Sequence, residues 1–171
     1  AVSSDGSITK GVIGTGASWT DQSVSAPIPL EGISFLDATK GLAVGDGGVI
    51  YQTSNSGTSW TPLTTIHTEI LNATQLVKGT PYGYAVGNEG TVIKTSNSGT
   101  SWSDQNAATT KDLLALAFID ANNGTIIGKT GTVKRTISGG ADKYSAVVTG
   151  FTSVTADLNA IAFADATHAV I

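Results

Sequence analysis

The chain of 171 residues contains no cysteine and no methionine. Without a thiol it has no disulfide, no thiolate metal site and no cysteine nucleophile. Charge is also scarce: 13% of residues are charged, against about a quarter in ordinary globular chains. The single arginine is Arg135, and the formal net charge is −4. A nucleic-acid partner would need a basic face with interleaved aromatics, and none is present. The only histidines, His67 and His168, have no second histidine at ligand spacing, which argues against a metal site. No cofactor is expected. No apolar run reaches 18 residues, so membrane insertion is not expected, and no signal sequence is legible. No Gly-x-Ser-x-Gly elbow supports a serine nucleophile. The Gly-Asp-Gly-Gly run at 45–48 lacks the lysine and helix of a phosphate loop and reads as a hairpin turn.

What the chain does have is a repeat. Residues 43–60 read AVGDGGVIYQTSNSGTSW and residues 85–102 read AVGNEGTVIKTSNSGTSW, with 53–60 recurring unchanged at 95–102. Trp60 and Trp102 set a period of 42. A degraded copy at 7–19 keeps Gly16 and Trp19, and residues 126–136 repeat the first half of the motif, with Tyr144 in the aromatic place. A second shared element carries Asp37, Asp120 and Asp165, each followed by alanine. Fixed-period self-similarity identifies stacked supersecondary units.

Each unit holds four short apolar or β-branched runs, in the first complete copy at 32–35, 41–44, 49–53 and 59–63. Turn residues separate them. Asp46-Gly47 is a strong hairpin signal, because both residue types tolerate positive φ. No window keeps a 3.6-residue apolar period. The run LLALAFI at 113–119 aligns with 33–35 and 161–163 and is read as a buried strand. Four short strands per 42 residues predict an all-β fold, a β-propeller of about four four-stranded antiparallel blades. The expected blades are 30–67, 68–110 and 111–154, with a fourth shared by 155–171 and 1–29.

The octapeptides at 53–60 and 95–102 resemble the Asp-box, or bacterial neuraminidase repeat, whose pattern is Ser-x-Asp-x-Gly-x-x-Trp. With the neighbouring Ala-Val-Gly-x-x-Gly, the chain is most similar to the branch of propellers that includes photosystem II assembly factors and secreted bacterial proteins. Here Thr53 and Thr95 stand for the serine, and Asn55 and Asn97 for the aspartate. The resemblance implies a turn between the two outer strands, with Gly57, Trp60, Gly99 and Trp102, and in the degraded copy Gly16 and Trp19, as structural residues. The box is a folding device and leaves function open. Sialidase chemistry in this family uses three arginines, and a lone Arg135 excludes it. An assembly-factor role implies an arginine-rich patch, which a single arginine also argues against.

The two ends suggest a shared blade. Residues 161–171 supply a first strand and the start of a second, while residues 1–8 resemble the segment between a second strand and a third. The expectation is a ring closed by strand sharing, with a longer parent propeller or a two-chain ring of eight blades as alternatives. Because the sequence opens on Ala1, it is read as a processed or excised piece.

A partner would be met by the turns between second and third strands and by the connections between blades, near 66–69 and 109–112. The candidate ligand residues are Asp46, Asn88, Glu89, Lys129, His67, Glu69 and the loop aromatic Tyr82. Glu31 and Asp112 complete the carboxylates weighed for glycoside hydrolysis, which requires a pair across a cleft. Asp46 and Glu89 read first as solvated turn residues, and Asp37, Asp120 and Asp165 as turn formers. The expected function is non-catalytic recognition or scaffolding in an exported prokaryotic protein, extracellular, at the cell surface or periplasmic, with a protein or glycan partner and self-association possible in principle. The alternatives are a surface-layer, fibre or filament subunit and a glycosidase fragment.

Overall fold

The computed structural model describes residues 1–11, 18–22, 24, 28–63, 65, 67–141, 144–146, 154–165 and 168–171. It is a β-propeller arc. Blade I is the antiparallel meander β3 (Leu30–Phe35), β4 (Gly41–Gly45), β5 (Ile50–Thr53) and β6 (Thr61–Leu63). Blade II comprises β7 (Leu71–Leu76), β8 (Gly83–Gly87), β9 (Val92–Thr95) and β10 (Ser103–Asp104). Blade III comprises β11 (Leu113–Phe118), β12 (Gly124–Gly128), β13 (Val133–Thr136) and β14 (Ser145–Ala146). Two-stranded sheets flank them: β1 (Thr9–Gly11) with β2 (Trp19–Asp21), and β15 (Ala162–Phe163) with β16 (Ala169–Val170). The run read as a buried strand forms β11 over Leu113–Phe118, buried at its two ends and half-buried between them, and no α-helix occurs among the described residues.

The second strands are the dry heart of each blade, with every residue of β4, β8 and β12 buried. The apolar layers lie between blades. Leu42, Val44 and Ile50 pack on Leu71, Leu76, Ala85 and Ile93 of blade II. Tyr84, Val86 and Val92 pack on Leu113, Phe118, Ile126 and Tyr144 of blade III. Tyr84 stacks on Phe118 at 3.7 Å and 6° and donates to the Ala121 carbonyl at 2.7 Å. Burial pushes its phenol up to about 12.

Polar side chains stitch the same seams. Ser34 Oγ accepts the Leu76 N–H at 2.9 Å, and the Gln75 amide holds both the N–H (2.7 Å) and the carbonyl (2.9 Å) of Phe118. At one repeat position, Lys10, Gln52 and Lys94 reach into the next unit's outer turn. They meet Thr58 Oγ1 (3.4 Å), the Ser98 carbonyl (3.1 Å) and the Gly139 carbonyl (2.9 Å).

The outer turns at 53–60 and 95–102 share one hydrogen-bond pattern. Thr95 Oγ1 accepts the Gly99 N–H (2.9 Å) and donates to Asn97 Oδ1, which in turn accepts the Ser101 N–H (2.9 Å). Thr53, Gly57, Asn55 and Ser59 repeat it. Trp102 Nε1 donates to the Gly99 carbonyl at 3.1 Å, and Trp60 meets Phe35 edge-on at 6.1 Å. The N-terminal copy departs from this. Gly11 stands where the other turns have threonine, so Trp19 settles over the Gly11 backbone and stays 61% exposed instead of packing into its blade. Gly16 lies outside the described residues.

The inner turns formed by first and second strands are built on the repeated aspartates. Asp37 Oδ1 accepts from the Thr39 N–H, the Thr39 hydroxyl and the Lys40 N–H at 2.7–2.9 Å. These bonds, the Thr39 hydroxyl foremost, hold its carboxyl down at about 2. Asp120 makes the same clasp with Asn122 and Asn123, and Asp165 accepts the His168 N–H. Turn formation is thus the role of this repeat position.

Candidate functional site

Because neighbouring strands run antiparallel, each blade has two ends. One carries the turns between second and third strands together with the connections between blades. The other carries the Asp37-type turns and the outer turns.

At the first end the chain repeats a three-residue 3₁₀ turn: Asp46–Gly48, Asn88–Gly90 and Lys129–Gly131. The sequence marks a hairpin break at 46–48, and the 3₁₀ form of the turn comes with non-local hydrogen bonds. The first residue of each turn donates its N–H to the connection ahead of its own blade, at the carbonyls of Pro29, Ile70 and Asp112 (2.9–3.0 Å). The middle residue is left-handed in all three: Gly47 at φ 64°, Glu89 at 55° and Thr130 at 52°. The closing glycine presses on the connection leading to the following blade. A Cβ on Gly48, Gly90 or Gly131 would lie 1.9–2.3 Å from the carbonyl oxygen of His67, Thr109 or Val154. Backbone geometry is therefore fixed while the side chains differ from turn to turn.

Four of the residues singled out in the sequence, Asp46, Asn88, Glu89 and Lys129, sit on these turns. Asp112 links the last two turns. Its Oδ1 accepts the Glu89 N–H at 3.1 Å and its Oδ2 pairs with Lys129 Nζ at 2.7 Å. The Lys129 bond lowers the Asp112 carboxyl and raises the Lys129 ammonium from their ordinary values. Asn88 Oδ1 accepts from Asn72 Nδ2 (2.9 Å), which also reaches the Leu113 carbonyl (2.8 Å). Asp157 Oδ1 accepts the Thr130 N–H at 3.0 Å. His67 and Glu69 lie on the connection from blade I to blade II. His67 Nε2 is 3.0 Å from Asp104 Oδ1, and Glu69 Oε1 accepts from Thr68 at 3.4 Å. Tyr82 is at the opposite end, beside the start of β8, with Lys94 Nζ 4.9 Å above its ring.

The first end thus gathers six of the seven candidates into a polar rim. It offers an exposed carboxylate at Glu89, an exposed ammonium at Lys129 and amide donors and acceptors at Asn72 and Asn88. Such a rim can hold a polar peptide backbone or sugar hydroxyls through several weak contacts. Among the described residues, no group of three or more His, Asp or Glu side chains is placed to hold a metal ion. Asn72, Asp104 and Asp157 escaped the sequence reading as rim residues, whereas Asp112 falls in the 109–112 connection that it named. The signal for Asp157 was an aspartate directly before a blade's first leucine, at Asp157-Leu158 as at Asp112-Leu113.

No protein-family model matches the chain, and no curated protein matches it in sequence. Solved structures do match in fold. YCF48 bound to D1 peptide superimposes with a TM-score of 0.62 at 23% identity, over 68% of this chain and 38% of that one. YCF48 from Cyanidioschyzon merolae gives 0.61 at 18% identity, over 71% and 37%. The GH74 xyloglucanase from Xanthomonas campestris gives 0.57 at 12% identity, over 85% and 29%. The chain therefore spans between about a quarter and two fifths of the length of these structures. At such identities the likeness shows the propeller fold alone.

Proposed function

We propose that this chain is a non-catalytic recognition or scaffold propeller of an exported prokaryotic protein, holding a protein or glycan partner on the rim of 3₁₀ turns. One observation carries the reading. Three turns keep the same backbone, including a left-handed middle residue, while their sequences run Asp-Gly-Gly, Asn-Glu-Gly and Lys-Thr-Gly. A fixed frame displaying different charges is what recognition of one partner by several blades requires. The outer turns at 53–60 and 95–102 are read as Asp-boxes that serve folding at the other end. A protein partner is supported by the similar YCF48 structure, which was solved with a peptide.

The experiment is binding to peptide and polysaccharide arrays, followed by affinity measurement on each hit. Glu89→Ala and Lys129→Ala should each weaken binding by about tenfold, which corresponds to about 1.4 kcal/mol, while Thr100→Ala at the opposite end leaves it unchanged. Binding that ignores both rim substitutions overturns the reading. The fold likeness to GH74 enzymes supports a glycosidase fragment as a second reading, with Asp46 and Glu89 in equivalent turns of adjacent blades as its carboxylates. Polysaccharide hydrolysis abolished by Asp46→Asn or Glu89→Gln would establish it, and inactivity would reject it.

A further inference from the structure

The three turns of the rim share a backbone but differ in how the N–H of their left-handed middle residue is used. Two sets of contacts fix the register between turns and connections. The carbonyls of Pro29, Ile70 and Asp112 each accept the N–H of the first residue of their own blade's turn, at 2.9–3.0 Å. The carbonyls of His67, Thr109 and Val154 each press on the closing glycine of the blade before the connection. Ile70, Asp112 and Asp157 follow these at one spacing and stand directly before Leu71, Leu113 and Leu158. They therefore hold one repeat position.

At two of these three places the side chain reaches back to the preceding blade. Asp112 Oδ1 accepts the Glu89 N–H at 3.1 Å, and Asp157 Oδ1 accepts the Thr130 N–H at 3.0 Å. At the third place Ile70 has no side-chain acceptor to offer. Among the described residues no group accepts the Gly47 N–H. Gly47 is exposed, left-handed and non-helical at φ 64°, with nothing within 4 Å of where its Cβ would be. The chain thus shows twice, with its own aspartates, that this frame seats an oxygen on the middle N–H, and it leaves the same donor open once.

We propose that the Gly47 N–H takes a main-chain carbonyl of a peptide partner, an inference that rests on the rim being the recognition surface. The oxygen that Asp112 and Asp157 supply from within the chain comes, at the first turn, from the partner. Local charge selects a neutral oxygen. The ionic side chains of this turn and its connection are Asp46, Glu69 and His67, and His67 is engaged by Asp104 at 3.0 Å. A ligand carboxylate would meet like charge there, whereas Lys129 offsets Asp112 beside the second turn at 2.7 Å. Local shape selects a peptide. A sugar ring has an apolar face that calls for an aromatic platform, and neither the first turn nor its connection carries Trp, Tyr or Phe. The missing Cβ of Gly47 lets a carbonyl come close to the backbone.

The test supplies the first turn with an internal oxygen. Ile70→Asp installs the carboxylate that the other two turns have, and Ile70→Asn installs the same oxygen without its charge. In the free chain, amide exchange followed by NMR should find the Gly47 N–H faster than those of Glu89 and Thr130. Either substitution should slow it by about tenfold, while Ile70→Ala, which adds no acceptor, leaves it fast. The binding probe is a library of N-acetylated, C-amidated peptides, with the tightest binder carried forward. Ile70→Asp and Ile70→Asn should each weaken that binder by about tenfold. An ester in place of one of its amides, which weakens a single carbonyl as acceptor, should cost affinity in the unsubstituted chain and little more in Ile70→Asn. A Gly47 N–H already as protected as that of Glu89 overturns the inference, as does a library in which no peptide binds. Binding that responds to Glu89→Ala and Lys129→Ala but not to Ile70→Asp or Ile70→Asn overturns it too, and leaves the rim reading standing. Binding indifferent to every one of these substitutions overturns the rim reading itself, and this inference with it.

Discussion

Replacing Thr95 by valine keeps its shape and removes one hydroxyl, which isolates what the outer turn depends on. Thr95 is fully buried, and its Oγ1 accepts the Gly99 N–H at 2.9 Å and the Asn97 N–H at 3.3 Å while donating to Asn97 Oδ1 at 2.9 Å. Valine leaves the buried Gly99 N–H without a partner, at about 1–3 kcal/mol. Asn97 Oδ1 keeps the Ser101 N–H (2.9 Å), so its loss is nearer the net value of one hydrogen bond, about 1 kcal/mol. The expected destabilisation is about 2–4 kcal/mol, read as a lower urea midpoint at constant m. Thr95→Ser is the control: it keeps all three contacts and removes one methyl, at about 1 kcal/mol. Valine that costs no more than serine would refute the assignment of the turn to this hydroxyl. Thr53→Val should match Thr95→Val, since Thr53 Oγ1 makes the same contacts with Asn55 and Gly57.

Three further outcomes concern the turns. Gly90→Ala forces a Cβ to within 2.0 Å of the Thr109 carbonyl at φ 75°, and should cost more than about 3 kcal/mol or prevent folding, by the same urea assay. Thr130→Gly should instead stabilise by about 0.5–1 kcal/mol, because a β-branched residue at φ 52° carries strain that Gly47 avoids in the equivalent turn. Asp37 titrates at about 2 in the fold, below the ordinary aspartate value of about 3.9. Its contribution to stability is therefore complete above pH about 4 and lost as pH falls toward 2. Thermal melts of Asp37→Asn should show a shallower acid decline than the unsubstituted chain, and parallel curves would contradict this.

The blades were legible because the repeat states them: one period, four apolar runs and glycine-rich breaks leave little freedom, and the run at 113–119 was placed by alignment. Asp37 and Asp120 were legible as turn formers because an aspartate bonds amides two and three residues on. What escaped was non-local. Asp46-Gly47-Gly48 marks the hairpin break, but its 3₁₀ form and its bond to the Pro29 carbonyl of the preceding connection do not show in the sequence. Trp19 copies Trp60 in sequence, yet Gly11 in place of a threonine leaves it on the surface. Six rim candidates converge because strand order puts their turns at one end. Tyr82 is excluded by the same logic, since β8 runs from the Tyr82 end to the Asn88 end. The link that Asp112 makes between the Glu89 and Lys129 turns is invisible until blades II and III are set side by side.

Everything proposed about function rests on partners being read by the 3₁₀-turn end. Hydrogen–deuterium exchange with the tightest array hit bound is the decisive experiment. Exchange should slow at 46–48, 88–90 and 129–131, with 54–59 and 96–101 unchanged. Protection confined to the outer turns, with the 3₁₀ turns exchanging as in the free chain, would place recognition at the opposite end and overturn the assignment.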